Sequence, residues 1–173
     1  MVRESHVIGS TSIADTQHER FARCLELINK SNQFNTTGQR RTLEQLHQIF
    51  AEGGRLEAFE VSDRFTQYGL VVVVLIKGNW IDQFVMSCRV VGLDVEIAVL
   101  AFILRALFDG QEVNARIIET DANFLCRDLY QRCGFTKINT HWSAPAHSFP
   151  FSFHSATRRS RVNTRMGEGR IIA

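Results

Sequence analysis

The residues of this chain whose types could do chemistry gather at a few places. Cys88, in Ser87-Cys88-Arg89, closes an apolar strand pattern, and Gly92 then hands the chain to a helix. A thiol at such an edge can take an acyl group if a base or positive charge raises its thiolate fraction. Packed inside, the same thiol is a small hydrophobe. His141, beside Trp142, has the near-neutral titration range that a base for Cys88 needs. Asp63 begins a turn; it either caps that turn or orients the imidazole as the third member of a triad. Asn32, Gln33 and Asn35 are the densest amide cluster in the sequence, suited to donate to an acyl oxygen or to cap their own loop. Arg89 suits a phosphate, or pairs with Glu96 across the turn.

The elements that hold these residues are predicted from hydrophobic spacing. Phe21, Cys24, Leu25 and Ile28 put a helix after His18, and a polar loop follows over 29–38. Thr42 with Gln45 makes a capping box for a second helix bearing Leu43, Leu46, Ile49 and Phe50, stopped by Gly53-Gly54. Strands are predicted over 56–62, 68–76 and 80–91, the second a valine-rich central strand, with Lys77-Gly78-Asn79 as a hairpin turn. A strongly apolar helix over 95–108, a strand over 113–119 and a short helix capped by Asn123 or Asp121 follow. That helix ends at Cys133-Gly134, before a strand over 135–141 and one more over 149–153. The order implies an α+β plan, layered α/β/α, on a mixed and mostly antiparallel sheet with a right-handed crossover near its middle. The divisions are a flexible arm over 1–17, one domain over 18–154 and a basic tail over 155–173.

Composition is that of an ordinary globular domain: 45% hydrophobic, 22% charged and a formal net charge of +2. The tail holds Arg158, Arg159, Arg161, Arg165 and Arg170 against Glu168 alone, a surplus of four that leaves the body at −2. Such a balance does not argue for nucleic acid or an acidic membrane surface. No apolar run approaches the roughly 20 residues of a membrane helix, and the N-terminus lacks a signal-peptide core, so a cytoplasmic setting is expected. Cys24, Cys88, Cys126 and Cys133 form neither CxxC pairs nor a disulfide framework, which fits a reducing compartment. No metal site and no tightly bound cofactor is expected.

Two motifs, in order, resemble those of the GCN5-related N-acetyltransferase (GNAT) fold. Arg89-Val90-Val91-Gly92-Leu93-Asp94 matches the Arg/Gln-x-x-Gly part of the family's Arg/Gln-x-x-Gly-x-Gly/Ala turn and departs at the last position. Asn123 followed by Leu129-Tyr130-Gln131-Arg132-Cys133-Gly134-Phe135 is similar to the second motif. In that family the turn's N–H groups and the next helix cradle a pyrophosphate. The resemblance implies that Gly92 and Asn123 belong to the binding site, and that Tyr130 matches a tyrosine protonating a leaving thiolate. It also implies that the strand ending at Cys88 splays from its neighbour to admit pantetheine.

A closer resemblance, over about 21–142, is to the carboxy-terminal domain of FkbH-like proteins. It rests on Leu27-Ile28-Asn29-Lys30-Ser31-Asn32-Gln33-Phe34-Asn35, on Asp63-Arg64-Phe65 with Tyr68-Gly69-Leu70-Val71, and on Met86-Ser87-Cys88-Arg89-Val90-Val91-Gly92 with Val95-Glu96. It implies transfer of a small hydroxyacyl group such as glyceryl between thioester carriers in polyketide-type biosynthesis. The co-substrate would be the phosphopantetheine of an acyl carrier protein, or coenzyme A. The Asp-x-Asp phosphatase half usual in the family is absent, so a separate phosphatase-type protein becomes an expected partner beside the carrier. Leu93-Asp94 stands where the family has a small or basic pair, and a carboxylate there disfavours a pyrophosphate. Two other readings are an amine N-acetyltransferase using acetyl coenzyme A, with Cys88 as core filler, and a non-catalytic module docking a carrier protein.

Overall fold

A computed structural model describes residues 7–109, 111–145 and 169–172. Among them eight strands form one sheet: β1 (Val7–Ile13), β2 (Arg55–Ser62), β3 (Gln67–Lys77), β4 (Trp80–Met86), β5 (Val113–Ala115), β6 (Thr136–Ile138), β7 (His141–Ala144) and β8 (Gly169–Ile172). Their spatial order is β6-β7-β5-β4-β3-β2-β1-β8. All neighbours are antiparallel except β4 and β5, which are parallel and joined through a helical crossover. The expected α+β class with a mixed, mostly antiparallel sheet is what is found.

Helices cover both faces. α1 (Phe21–Lys30) buries Phe21, Cys24, Leu27 and Ile28, and α2 (Leu43–Ala51) buries Leu46 and Ile49. These join Leu56, Val73, Leu75 and Val85 of the sheet in one core. The capping box starts α2: the Thr42 hydroxyl accepts from the Gln45 N–H at 3.2 Å, and the Gln45 side chain accepts from the Thr42 N–H at 3.0 Å. α3 (Val95–Ala106) is apolar nearly all round, as a helix pressed between a sheet and a neighbouring helix must be. With α4 (Leu129–Arg132) it covers the opposite face, packing on Phe59, Val72, Val74, Ile81 and Phe84.

β4 sets the geometry of everything that follows. Leu75 pairs with Gln83 and Ile76 with Ile81, so Asp82 is a bulged residue. The Asp82 carboxylate is taken by Arg41 at 3.1 Å and Arg116 at 3.8 Å. The strand stops at Met86 instead of running to 91. Ser87 caps a 3₁₀ turn over Cys88–Val90, its hydroxyl accepting from the Arg89 N–H at 3.4 Å, and local capping there beats strand propensity.

Other differences have equally local causes. Within the expected arm over 1–17, Val7–Ile13 is a strand that buries Ile8 and Ile13 against β2; residues 1–6 lie outside the described part. Gly169–Ile172 of the expected tail pairs with β1, while the strand predicted over 149–153 lies outside the described residues. The single strand predicted over 135–141 is a hairpin, turned at Asn139 with φ 52°. The helix after Asn123 divides into a 3₁₀ turn, Phe124–Cys126, and α4. No helix among the described residues is long and apolar enough to cross a membrane.

Candidate functional site

At the end of β4, the 3₁₀ turn, the last two turns of α1 and the loop after it line an open cleft of about 640 Å³. That volume suits a small ligand. Cys88 and Arg89 enter from the turn, and Asn32 and Gln33 from the loop. Arg23, Glu26 and Lys30 form its third wall, with Leu27, Phe34 and Met86 as the apolar floor. The chain turns into this wall because Ser87 donates its N–H to the Val71 carbonyl at 2.8 Å and then caps the turn.

Cys88 is the exposed thiol of the four. Burial pushes the Cys24 and Cys133 thiols up to about 12 and Cys126 up to about 11, so those three are inert packing. Around Cys88 the charges are uneven. Arg23 and Lys30 both hold Glu26, at 2.6 and 2.7 Å, and hydrogen bonds from Lys30 and Arg23 hold its carboxyl down to about 2. Arg89 leans on the Ser87 hydroxyl at 3.4 Å and has no ion pair among the described residues. The expected Arg89–Glu96 pair is not formed. Glu96 is buried in α3 and bonded instead to Arg132 at 3.1 Å, and burial raises its carboxyl. Arg132 also holds Asp94 at 3.1 Å, at the head of α3.

Asn35 and Asn123, expected to touch substrate, are structural. Asn35 is buried; its carbonyl oxygen Oδ1 accepts from the N–H groups of Thr37 and Gly38 and from Gln83, at 3.0 to 3.3 Å. Asn123 is buried too, its Nδ2 donating to the carbonyls of Asn35 and Ile118, each at 2.9 Å, and its Oδ1 accepting from the Thr120 N–H at 2.8 Å. Both amides are saturated by the fold.

These bonds hold a plug. β4 and β5 pair only at Trp80 with Asn114 and Ile81 with Ala115, and then part, as expected. The gap is not open, however: residues 34–36 fill it. Thr36 donates its N–H to the Phe84 carbonyl at 3.0 Å, Met86 donates to the Phe34 carbonyl at 2.9 Å, and Ile118 donates to the Thr36 carbonyl at 2.8 Å. The Thr36 hydroxyl accepts from the Phe84 N–H at 2.9 Å. Phe84 and Met86 of β4 and Ile118 beyond β5 are therefore bonded to residues 34–36 of the chain itself.

The remaining expected residues do not meet Cys88. His141 lies on β7 against Trp80, ring centroids 5.3 Å apart, at the opposite end of β4, about 20 Å of strand from Ser87. Asp63 caps its turn, its carboxylate accepting from the N–H groups of Phe65 and Thr66 at 2.7 and 2.6 Å and from the Tyr68 hydroxyl at 3.0 Å. The length of β4 thus separates His141 from Cys88, while the Asp63 carboxylate is engaged in its own turn. Tyr130 is fully buried and burial pushes its phenol far up; its hydroxyl lies near Thr36 but outside hydrogen-bonding geometry. Gly92, at φ 86°, has open space where a Cβ would stand, so its role is to turn the backbone into α3.

Arg23, Glu26 and Lys30 were not singled out from sequence. Their signal was present, as a charged stripe at spacings of three and four on the solvent side of an amphipathic helix. Among the described residues no group of three His, Cys, Asp or Glu is placed to hold a metal ion. Comparisons with protein-family models, curated proteins and solved structures returned no match.

Proposed function

We propose that this protein is an acyltransferase that moves a small hydroxyacyl group, such as glyceryl, between thioester carriers through a thioester on Cys88. The observation that carries this reading is the setting of Cys88: an exposed thiol in a ligand-sized cleft, beside Arg23, Lys30 and Arg89 and the amides of Asn32 and Gln33. The thiolate attacks the carbonyl carbon of the incoming thioester, forming a Cys88 S–C bond. The carrier's S–C bond breaks, and the departing carrier thiolate takes up the proton that Cys88 released to solvent. The Asn32 and Gln33 amides are the neutral donors at hand for the oxyanion. Transfer to a second carrier thiol reverses these steps, so no net base is consumed.

The filled gap between β4 and β5 supports an acyl carrier protein, presenting its phosphopantetheine at the open cleft, over free coenzyme A threaded between strands. The Arg132-bound carboxylates at the head of α3 point the same way. The GNAT resemblance and a separate phosphatase-type partner in a reducing cytoplasm belong to this proposal. The reading of a module that docks a carrier without turnover is favoured by one fact: none of the described histidines lines the cleft.

Incubation of the full chain with glyceryl-loaded carrier protein, followed by intact-mass measurement, tests the proposal. A single adduct that maps to Cys88 and vanishes in Cys88→Ala is expected. Carrier binding with no adduct would leave the docking module; amine acetylation from acetyl coenzyme A undiminished in Cys88→Ala would establish the N-acetyltransferase.

A further inference from the structure

We infer that Gln83 is a positioning residue of the acyl-transfer site, acting on the Asn32 and Gln33 amides through Asn35. The inference rests on the thioester reading above, because those amides affect the rate only where an oxyanion forms on the acyl carbonyl. Asn32 and Gln33 are the middle of a short bridge fixed at both ends. Before them, the Ser31 carbonyl accepts from the Asn35 side chain at 3.3 Å. After them, the Phe34 carbonyl accepts from the Met86 N–H at 2.9 Å. The placement of both amides beside Cys88 therefore depends on where the Asn35 side chain points.

Gln83 fixes that direction from inside the sheet. It is almost fully buried on β4, and its Nε2 donates to Asn35 Oδ1 at 3.0 Å and to the Gln39 carbonyl at 2.7 Å. With Oδ1 turned to these donors, Asn35 Nδ2 is left facing the Ser31 carbonyl. Gln83 is itself held from behind. Arg41 Nε donates to its Oε1 at 3.0 Å, and because a guanidinium only donates, the Gln83 amide cannot flip. Successive strand residues ordinarily point to opposite faces. The bulge at Asp82 lets Asp82 and Gln83 both reach Arg41, whose Nη2 holds the Asp82 carboxylate at 3.1 Å. Fixed orientation thus passes from Arg41 to Gln83, to Asn35 and to the bridge, although Gln83 does not line the cleft.

The test compares two reactions of Cys88 in the full chain, both followed by intact mass. Glyceryl transfer from a loaded carrier protein passes through an oxyanion. Alkylation by iodoacetamide, in which the thiolate forms an S–C bond and iodide leaves, does not. Gln83→Leu nearly keeps the volume and removes both donations. It is expected to slow acylation about tenfold while changing alkylation less than about twofold. Arg41→Lys keeps a charge beside Asp82 but lacks the fork that also holds Gln83, so acylation alone should fall, by about threefold. Where circular dichroism shows Gln83→Leu unfolded, the Arg41→Lys ratio decides. Unchanged acylation in a folded variant, or acylation and alkylation falling together, overturns the positioning role and leaves the thioester reading standing. No glyceryl adduct on the unaltered chain overturns both.

Discussion

Asn123 donates its side-chain amide to the backbone carbonyl of Asn35 at 2.9 Å, joining positions 88 residues apart in the chain. The same amide bonds the Ile118 carbonyl, so one side chain ties the plug to the segment that leaves β5. Asn123→Ala strips the buried Asn35 carbonyl, the Ile118 carbonyl and the Thr120 N–H of their partner. A loss of about 2–4 kcal/mol in unfolding free energy is expected from urea denaturation. Adduct formation on Cys88 should weaken with it, because the Asn32–Gln33 loop runs directly into the plug. A loss below about 0.5 kcal/mol would mean that other contacts hold the plug.

Thiol labelling should separate Cys88 from its three fellows. The native chain is expected to take up one equivalent of a maleimide at neutral pH, none in Cys88→Ala, and four equivalents only after unfolding. More than one native equivalent would place a second thiol at the surface.

The buried thiols also set a pH dependence. Cys24, Cys126 and Cys133 keep their protons in the fold up to about pH 11–12, whereas in the unfolded chain they ionise near their ordinary value of 9.0. Their folded values are raised, so their contribution is complete below pH 9 and is lost as pH rises toward 12. Unfolding free energy should fall over that window in urea titrations at stepped pH. Cys24→Ala, whatever it costs at pH 7, should fall less steeply, and an unchanged slope would remove this account.

Tyr130→Phe discriminates a proton donor from a packing residue. The phenol is buried and its hydroxyl has no hydrogen bond among the described residues. Removing it should leave Cys88 acylation within about twofold and stability equal or up to about 1 kcal/mol higher. A rate loss of a hundredfold or more would restore it as the acid that protonates the leaving thiolate.

His141→Ala offers the matching test at the other end of β4. With the imidazole packed against Trp80 and about 20 Å of strand from Ser87, acylation of Cys88 and its pH profile should not move. A shifted pH profile would show that a distant group titrates with the reaction.

How far local pattern reaches is visible residue by residue. The Thr42–Gln45 box, the amphipathic stripe of α1, the all-apolar α3 and the valine run of β3 are short-range signals, and each produced the element it predicts. The end of β4 was the first place where pattern misled: alternation continues to Val91, yet the Ser87 hydroxyl captures the Arg89 N–H and ends the strand. Val7–Ile13 was equally hidden, because Gly9, Ser10 and Ser12 look like an arm until β2 and β8 supply partners on both sides.

By itself the sequence determined the fold class and the crossover helix, because both follow from short-range patterning and the order of the elements. Only the tertiary structure decided that Asn35 and Asn123 spend their amides on the plug, that the gap between β4 and β5 is filled, and that His141 and Asp63 never meet the thiol. Type and spacing show which chemistry a side chain is capable of. Whether that capacity is free depends on which backbone groups elsewhere need a partner, and buried N–H and C=O groups took the amides first.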